Sequence, residues 1–170
     1  MMRTIIRTID SLTERTAKLF RWLCAILVLL VTLEVTMRYV FNSPTMWNYE
    51  TSMFIGGTFY AIGLSYAHLR RSHIRIDLLY SRLSPKKRAI IDLLGWAFLF
   101  MPLIGLTAYV SVDHAIHSWV IGERSVQTYW DPPLAPFRTA VAFGICLFAL
   151  QGVAQFLRDL LALKGDSYDD

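Results

Sequence analysis

The chain of 170 residues is poor in charge and nearly devoid of cysteine. Charged residues make up 18% of it against 55% hydrophobic, with a mean hydropathy of +0.42. A soluble domain of this length needs a larger polar shell. Its two cysteines, Cys24 and Cys146, both fall in apolar runs. They read as small apolar residues, so no disulfide or metal framework is implied. Also missing are metal-ligand spacings, a nucleophile elbow and a phosphate-cradling glycine loop. An enzyme is therefore not indicated. His73 and Asp77, four residues apart, come nearest to a catalytic pair and read as a local helix contact in a polar loop. The chain shows no internal repeat and no low-complexity tract. A cleavable leader is not expected, because Asp10 and Glu14 lie ahead of the first apolar run and no small-residue cleavage site follows it.

What the chain has is four long apolar runs, at approximately 20–41, 46–69, 90–114 and 134–157. Each is near the ~20 residues that an α-helix needs to cross ~30 Å of hydrocarbon. The third is free of charge between Asp92 and Asp113, which read as its two ends; the fourth has Arg138 near its start. The expected fold class is all-α: an integral membrane protein of four transmembrane helices in two antiparallel hairpins, forming one domain over residues 1–170.

Net charge is +4, and its distribution is informative. Fourteen of the 17 basic residues precede the first run, lie between the second and third, or follow the fourth. Arg38, Arg124 and Arg138 belong to the other side. The positive-inside rule then predicts a multi-pass protein with both termini in the cytoplasm. Basic residues sit where span ends carry them, so nucleic acid is not an expected partner; membrane lipid is.

Residues 3–23 have helical periodicity, with Ile5, Ile9, Leu12, Thr16, Leu19 and Leu23 on one face and Arg3, Arg7, Asp10, Glu14, Lys18 and Arg21 on the other. This predicts an amphipathic N-terminal helix on the membrane surface. Asn42 and Ser43 can stop the first span, and Ser43 can cap the second with Pro44 at its first position. Ser84-Pro85 repeats that device before the third span, where Pro102 predicts a kink. Between them, the segment HIRIDLLYSRL reads as a short amphipathic element. Pro132, Pro133 and Pro136 predict a stiff, non-helical loop before the fourth span. In the second span Gly57, Ala61 and Ser65 recur every four residues and form a close-packing face, against this chain or a partner.

The stretch RYVFNSPTMWNYE places ionisable groups next to two spans. Glu34 and Arg38 share a helix face at i, i+4. If the second helix starts at Pro44, Glu50 reaches the depth of Glu34, and Arg38 can bridge both carboxylates. A charge left alone at the bilayer centre costs ~3 kcal/mol on insertion scales. Three readings of the cluster stay open: a tie holding the hairpin, a contact with a partner membrane protein, and part of a proton or ion path.

The same stretch carries a resemblance. Arg38, Tyr39, Phe41, Asn42, Ser43 and Pro44, followed by Trp47 and Glu50, resemble the signature of the DctQ-like small membrane subunit of TRAP transporters. Gly63, His73, Ile74, Ile76 and Asp77 resemble that family's segment after its second span. Gly122, Glu123, Ser125, the proline-rich stretch and Gln151 resemble its second half. Asn48 and Tyr49 depart slightly from the pattern. The resemblance implies a bacterial inner-membrane subunit working with a large permease subunit and a periplasmic substrate-binding protein. Transport is implied to be sodium-driven uptake of small organic acids, with coupling and substrate sites in the large subunit and no cofactor in this one. The small subunit is implied to brace the large one and to help receive the binding protein, for which the loop residues Glu123, Arg124 and Trp130 are candidates.

The alternative from another class is a membrane anchor of a respiratory enzyme, with or without haem. Of its four histidines, His68 and His73 fall at the basic side and His114 and His117 at the other. The two pairs cannot share one haem, and two histidines on one helix cannot ligate it from both faces.

Overall fold

A computed structural model describes residues 2–70 and 85–163. His73, Asp77 and the HIRIDLLYSRL segment lie outside them. The described residues form α1 (Met2–Phe20), α2 (Trp22–Tyr39), α3 (Trp47–Leu69), α4 (Pro85–Gly95), a π-helical segment (Trp96–Phe100), α5 (Met101–Ile121) and α6 (Ala135–Leu163). Three stretches, Met2–Tyr39, Ile90–Ile121 and Ala135–Leu161, are long and apolar enough to cross a membrane. With 23 residues, α3 is ~35 Å long at ~1.5 Å per residue and also suffices. The all-α membrane architecture read from the sequence is the one observed.

The spanning helices form a row: α2 packs on α3, α3 on α6 and α6 on α5. The central pair is in contact along its length. A Cβ added at Gly57 would lie 2.9 Å from the Phe137 ring, and one added at Gly144 would lie 2.8 Å from both the Ala61 carbonyl carbon and its Cβ. Further along, His68 meets Phe148. The contacts advance in step on both helices, so α3 and α6 run parallel. Ala61 and Ser65 are buried. The small-residue face thus packs against α6, inside the chain. Small side chains let the two backbones approach, and close approach maximises van der Waals contact where lipid provides no hydrophobic drive between helices.

Boundaries differ from expectation in several places. Between α2 and α3, Asn42 takes a left-handed φ of 51°, and the Ser43 N–H donates to the Met37 carbonyl at 2.9 Å. Ser43 therefore closes α2 and does not cap α3, which starts at Trp47 and not at Pro44. The kink expected at Pro102 takes the form of a π segment immediately before it. Proline has no N–H to give, and here the Met101 N–H reaches the Trp96 carbonyl, five residues back. Asp113 does not end its helix, which runs on to Ile121 and closes on left-handed Gly122, φ 61°. Pro136 falls in the first turn of α6, where the missing N–H costs nothing.

The N-terminal helix forms, but its packing face is turned from the expected one. Ile6, Ile9, Thr13 and Thr16 are buried, against α3 and α6. Ile5, Leu12 and Leu19 are exposed. The helix has three sides: one against protein, one apolar edge directed outward, and a charged edge.

Candidate functional site

Polar side chains concentrate at the two ends of the bundle. At the end carrying α1, Arg158 of α6 donates to Asp10 of α1 at 2.5 Å. The Gln151 amide donates to the same carboxylate at 3.0 Å and accepts from the Thr13 hydroxyl at 2.9 Å. Gln155 accepts from Arg158 at 3.4 Å. Thr13, Gln151 and Arg158 are buried. Asp10 was expected on the solvated face; it faces the bundle because Arg158 needs an anion there. A buried charge without its partner is expensive, which makes this network the latch that fixes α1 on the spans. The signal for it is in the sequence. Gln151, Gln155 and Arg158 fall at i, i+4 and i+7, one polar stripe down an apolar helix.

At the opposite end Arg38 donates to Glu34 at 2.8 Å. The second Glu34 oxygen accepts from the Thr45 N–H at 3.3 Å and from the Thr45 hydroxyl. Arg38 does not bridge to Glu50. Because α3 starts at Trp47, Glu50 lies only one turn into it and falls on the stripe of Phe54 and Gly57, which faces α6. Glu50 is fully buried, and neither carboxylate oxygen has a hydrogen-bonding partner among the described residues. Thr45 takes the place in the tie that was expected for Glu50. Asn48 fastens the hairpin lower down, donating to the Leu30 carbonyl at 2.7 Å.

The loop between α5 and α6 is ordered by ion pairs. Arg138 pairs with Glu123 at 2.6 Å and meets His114 Nδ1 at 3.1 Å. Arg124 pairs with Asp131 at 2.7 Å. The backbone closes a small antiparallel hairpin, with a bridge between Arg124 and Pro133 and the Ser125 N–H donating to the Pro132 carbonyl at 2.8 Å. Glu123 and Arg124 thus help to order the loop. The side chains that protrude are Val126, 95% exposed, and Tyr129, 96% exposed. Trp130 is 44% exposed. Composition alone does not reveal these pairs, because they depend on how the loop folds.

His68 and His114 lie at opposite ends, the first stacked on Phe100 at 5.4 Å and the second against Arg138.

The flanks of the row are apolar. On α2 no residue is buried, and Trp22, Val28, Leu29 and Val35 are each at least half exposed. On α5, Leu103, Leu106, Tyr109, Ile116 and Trp119 are exposed in the same way. What the arrangement supplies is a rigid core with two broad apolar sides and structured polar ends.

Residues 27–162 match the family model described as "Tripartite ATP-independent periplasmic transporters, DctQ component". No curated protein matches the chain.

Proposed function

The chain belongs to the DctQ component family of tripartite ATP-independent periplasmic transporters, and from that premise we propose that it is the small permease subunit of a sodium-driven, binding-protein-dependent secondary transporter for small organic acids. The whole chain acts as one membrane domain. Its task is to brace the large permease subunit and to help receive the periplasmic binding protein. Substrate and sodium sites belong to the large subunit, and this chain works without a cofactor.

The observation that supports the bracing role is α2. A transmembrane helix with no buried residue contributes little to its own bundle and presents its whole outer side to a neighbour. The core behind it is stiffened by the close contact of α3 with α6 and by the Asp10–Arg158 latch. The protruding loop between α5 and α6 suits the docking role. The basic bias of the sequence supports an orientation in the inner membrane with α1 and both termini on the cytoplasmic side and that loop on the periplasmic side.

Reconstituted uptake tests the reading. Proteoliposomes with the large permease and the binding protein should take up substrate under a sodium gradient only when this chain is present. Full uptake without it, at every binding-protein concentration, would refute the role. A cysteine placed at Gln127 should label from the periplasmic side and one at Arg15 should not; the reverse pattern would overturn the orientation.

A further inference from the structure

The two apolar flanks of the row are not alike. On the α2 side a groove of about 400 Å³ opens between α2 and α3. Val31, Val35 and Met53 give it an apolar wall, and Glu34, Arg38, Asn48 and Ser52 bring polar groups to it. The opposite flank, on α5, exposes Leu103, Leu106 and Tyr109 from a stretch with no charge between Asp92 and Asp113. Its Thr107 hydroxyl turns back onto the Leu103 carbonyl, at 2.7 Å.

The polar groups of the groove lie at membrane depth. Trp22 is 61% exposed at the start of α2, and the Arg21 guanidinium lies 5.5 Å from its ring centroid. Exposed tryptophan beside arginine, at the start of an apolar helix, is the arrangement of a membrane–water boundary. Counted from Trp22 at ~1.5 Å per residue, Glu34 is ~18 Å and Arg38 ~24 Å along the helix, inside a hydrocarbon core ~30 Å thick. Glu34 is held by Arg38 at 2.8 Å and by Thr45. Asn48 donates to the Leu30 carbonyl and accepts from the Ser52 hydroxyl at 3.0 Å. Arg38 is different. Its side chain is 55% exposed, and only Nη2 donates, to Glu34, among the described residues. An acyl chain offers no acceptor to the remaining N–H groups. Ionisable side chains within spans face protein or a water-filled cavity, not lipid.

We propose, on the premise of the bracing role above, that this groove seats a transmembrane helix of the large permease subunit and that the α5 flank faces lipid. The seated helix presents a hydrogen-bond acceptor to Arg38 and a small or apolar face to Val31, Val35 and Met53. Hydrogen bonds between helices and close apolar contact are what hold helices together in a bilayer. Glu34 and Arg38 neutralise one another, so the groove does not select an anionic headgroup. A second copy of this chain, related by a two-fold axis along the membrane normal, would set Arg38 against its own twin. A helix of another protein has neither defect.

The test uses membranes that hold this chain together with the large permease. The photoreactive residue p-benzoylphenylalanine is placed at Val35, at Met53 or, on the other flank, at Leu106, and crosslinked products are identified by mass spectrometry. Val35 and Met53 should crosslink to the large permease, and Leu106 to no protein. Ser52→Trp, which fills the groove, should lower copurification of the large permease about fivefold or more, whereas Leu106→Trp should leave it unchanged. Arg38→Ala should lower copurification too, while unfolding of the isolated chain in detergent changes little. Crosslinks from Leu106 to the large permease with none from Val35 or Met53 would overturn the assignment and leave the bracing role standing. Groove crosslinks that reach only a second copy of this chain, or no protein at all, would also overturn it. A parent chain that does not copurify with the large permease would remove the bracing role itself, and this proposal with it. Should Ser52→Trp fail to fold, the crosslinks decide the question alone.

Discussion

Two helices of similar apolar character, α2 and α6, have opposite fates. Both are apolar enough to cross a membrane, yet α2 has no buried residue while α6 buries Ala135, Ala142, Leu147, Gln151 and Ala154. The difference lies in side-chain size. The middle of α2 is Leu, Val and Ile; α6 carries Ala135, Ala142, Gly144, Gly152 and Ala154 along its length. In lipid, a leucine gains little by leaving the acyl chains for a helix neighbour, whereas a small residue lets two backbones touch. Small residues bring the helix backbones together in this chain, and larger side chains such as Ile62, Leu147 and Phe148 are buried beside them.

The strongest way to break the comparison is at the polar groups. Arg158→Ala should cost about 3 kcal/mol, because it leaves the Asp10 carboxylate without its cation in a mostly buried site. Thermal unfolding in detergent measures this, and a variant within ~0.5 kcal/mol of the parent would show that the latch is not structural. Next comes size. Gly144→Leu should cost about 2–3 kcal/mol, since the new side chain meets backbone of α3 and not a movable tip; Leu29→Ala on α2 should leave the isolated chain's stability nearly unchanged. Equal losses from the two would erase the distinction between the helices. The loop follows, at about 1 kcal/mol for Arg138→Ala, whose pair with Glu123 is partly exposed. That variant should leave assembly with the large permease intact and lower uptake when the binding protein is limiting. Unaltered uptake at every binding-protein concentration would count against a docking role for the loop. Smallest is Arg38→Ala, under about 1 kcal/mol, because Arg38 is more than half exposed and Thr45 still holds Glu34. A loss of several kcal/mol would mean that Arg38 holds more than Glu34.

Most of the architecture could be read from residues 1–170. The four spans follow from run length, and the face Gly57, Ala61, Ser65 follows from small residues at four-residue spacing. Its partner could not be read, because Gly144 and Ala61 meet only once α3 and α6 are parallel neighbours, and spacing within one helix carries no information on which helix lies opposite. Glu50 was misplaced for a related reason. A shift of the helix start from Pro44 to Trp47 changes its depth, and the face it takes depends on the neighbour. Local chemistry could have supported either start; the left-handed turn at Asn42 and the grip of Thr45 on Glu34 decide it. Asp10 shows a third limit. Its position among basic residues suggests solvent, and only the stripe Gln151, Gln155, Arg158 on a helix ~140 residues away gives it a reason to face inward.

The π segment Trp96–Phe100 has a consequence for how this chain tolerates a change of length. A π turn carries one residue more than the α ladder around it needs. Deleting one residue there would let the hydrogen bonds re-form as an uninterrupted α-helix, with no strand or loop to repair. The cost would be in phase. Each residue is about 100° of rotation, so α5 would arrive at its neighbour turned by more than a quarter of a revolution. Ala115 and Ser118, which are buried, would swing off their seat, and the Phe100 ring would lose the space that Gly152 keeps open for it. The segment acts as a timing mark between the two halves of one span: everything after it meets α6 in register only because one extra residue was counted before it.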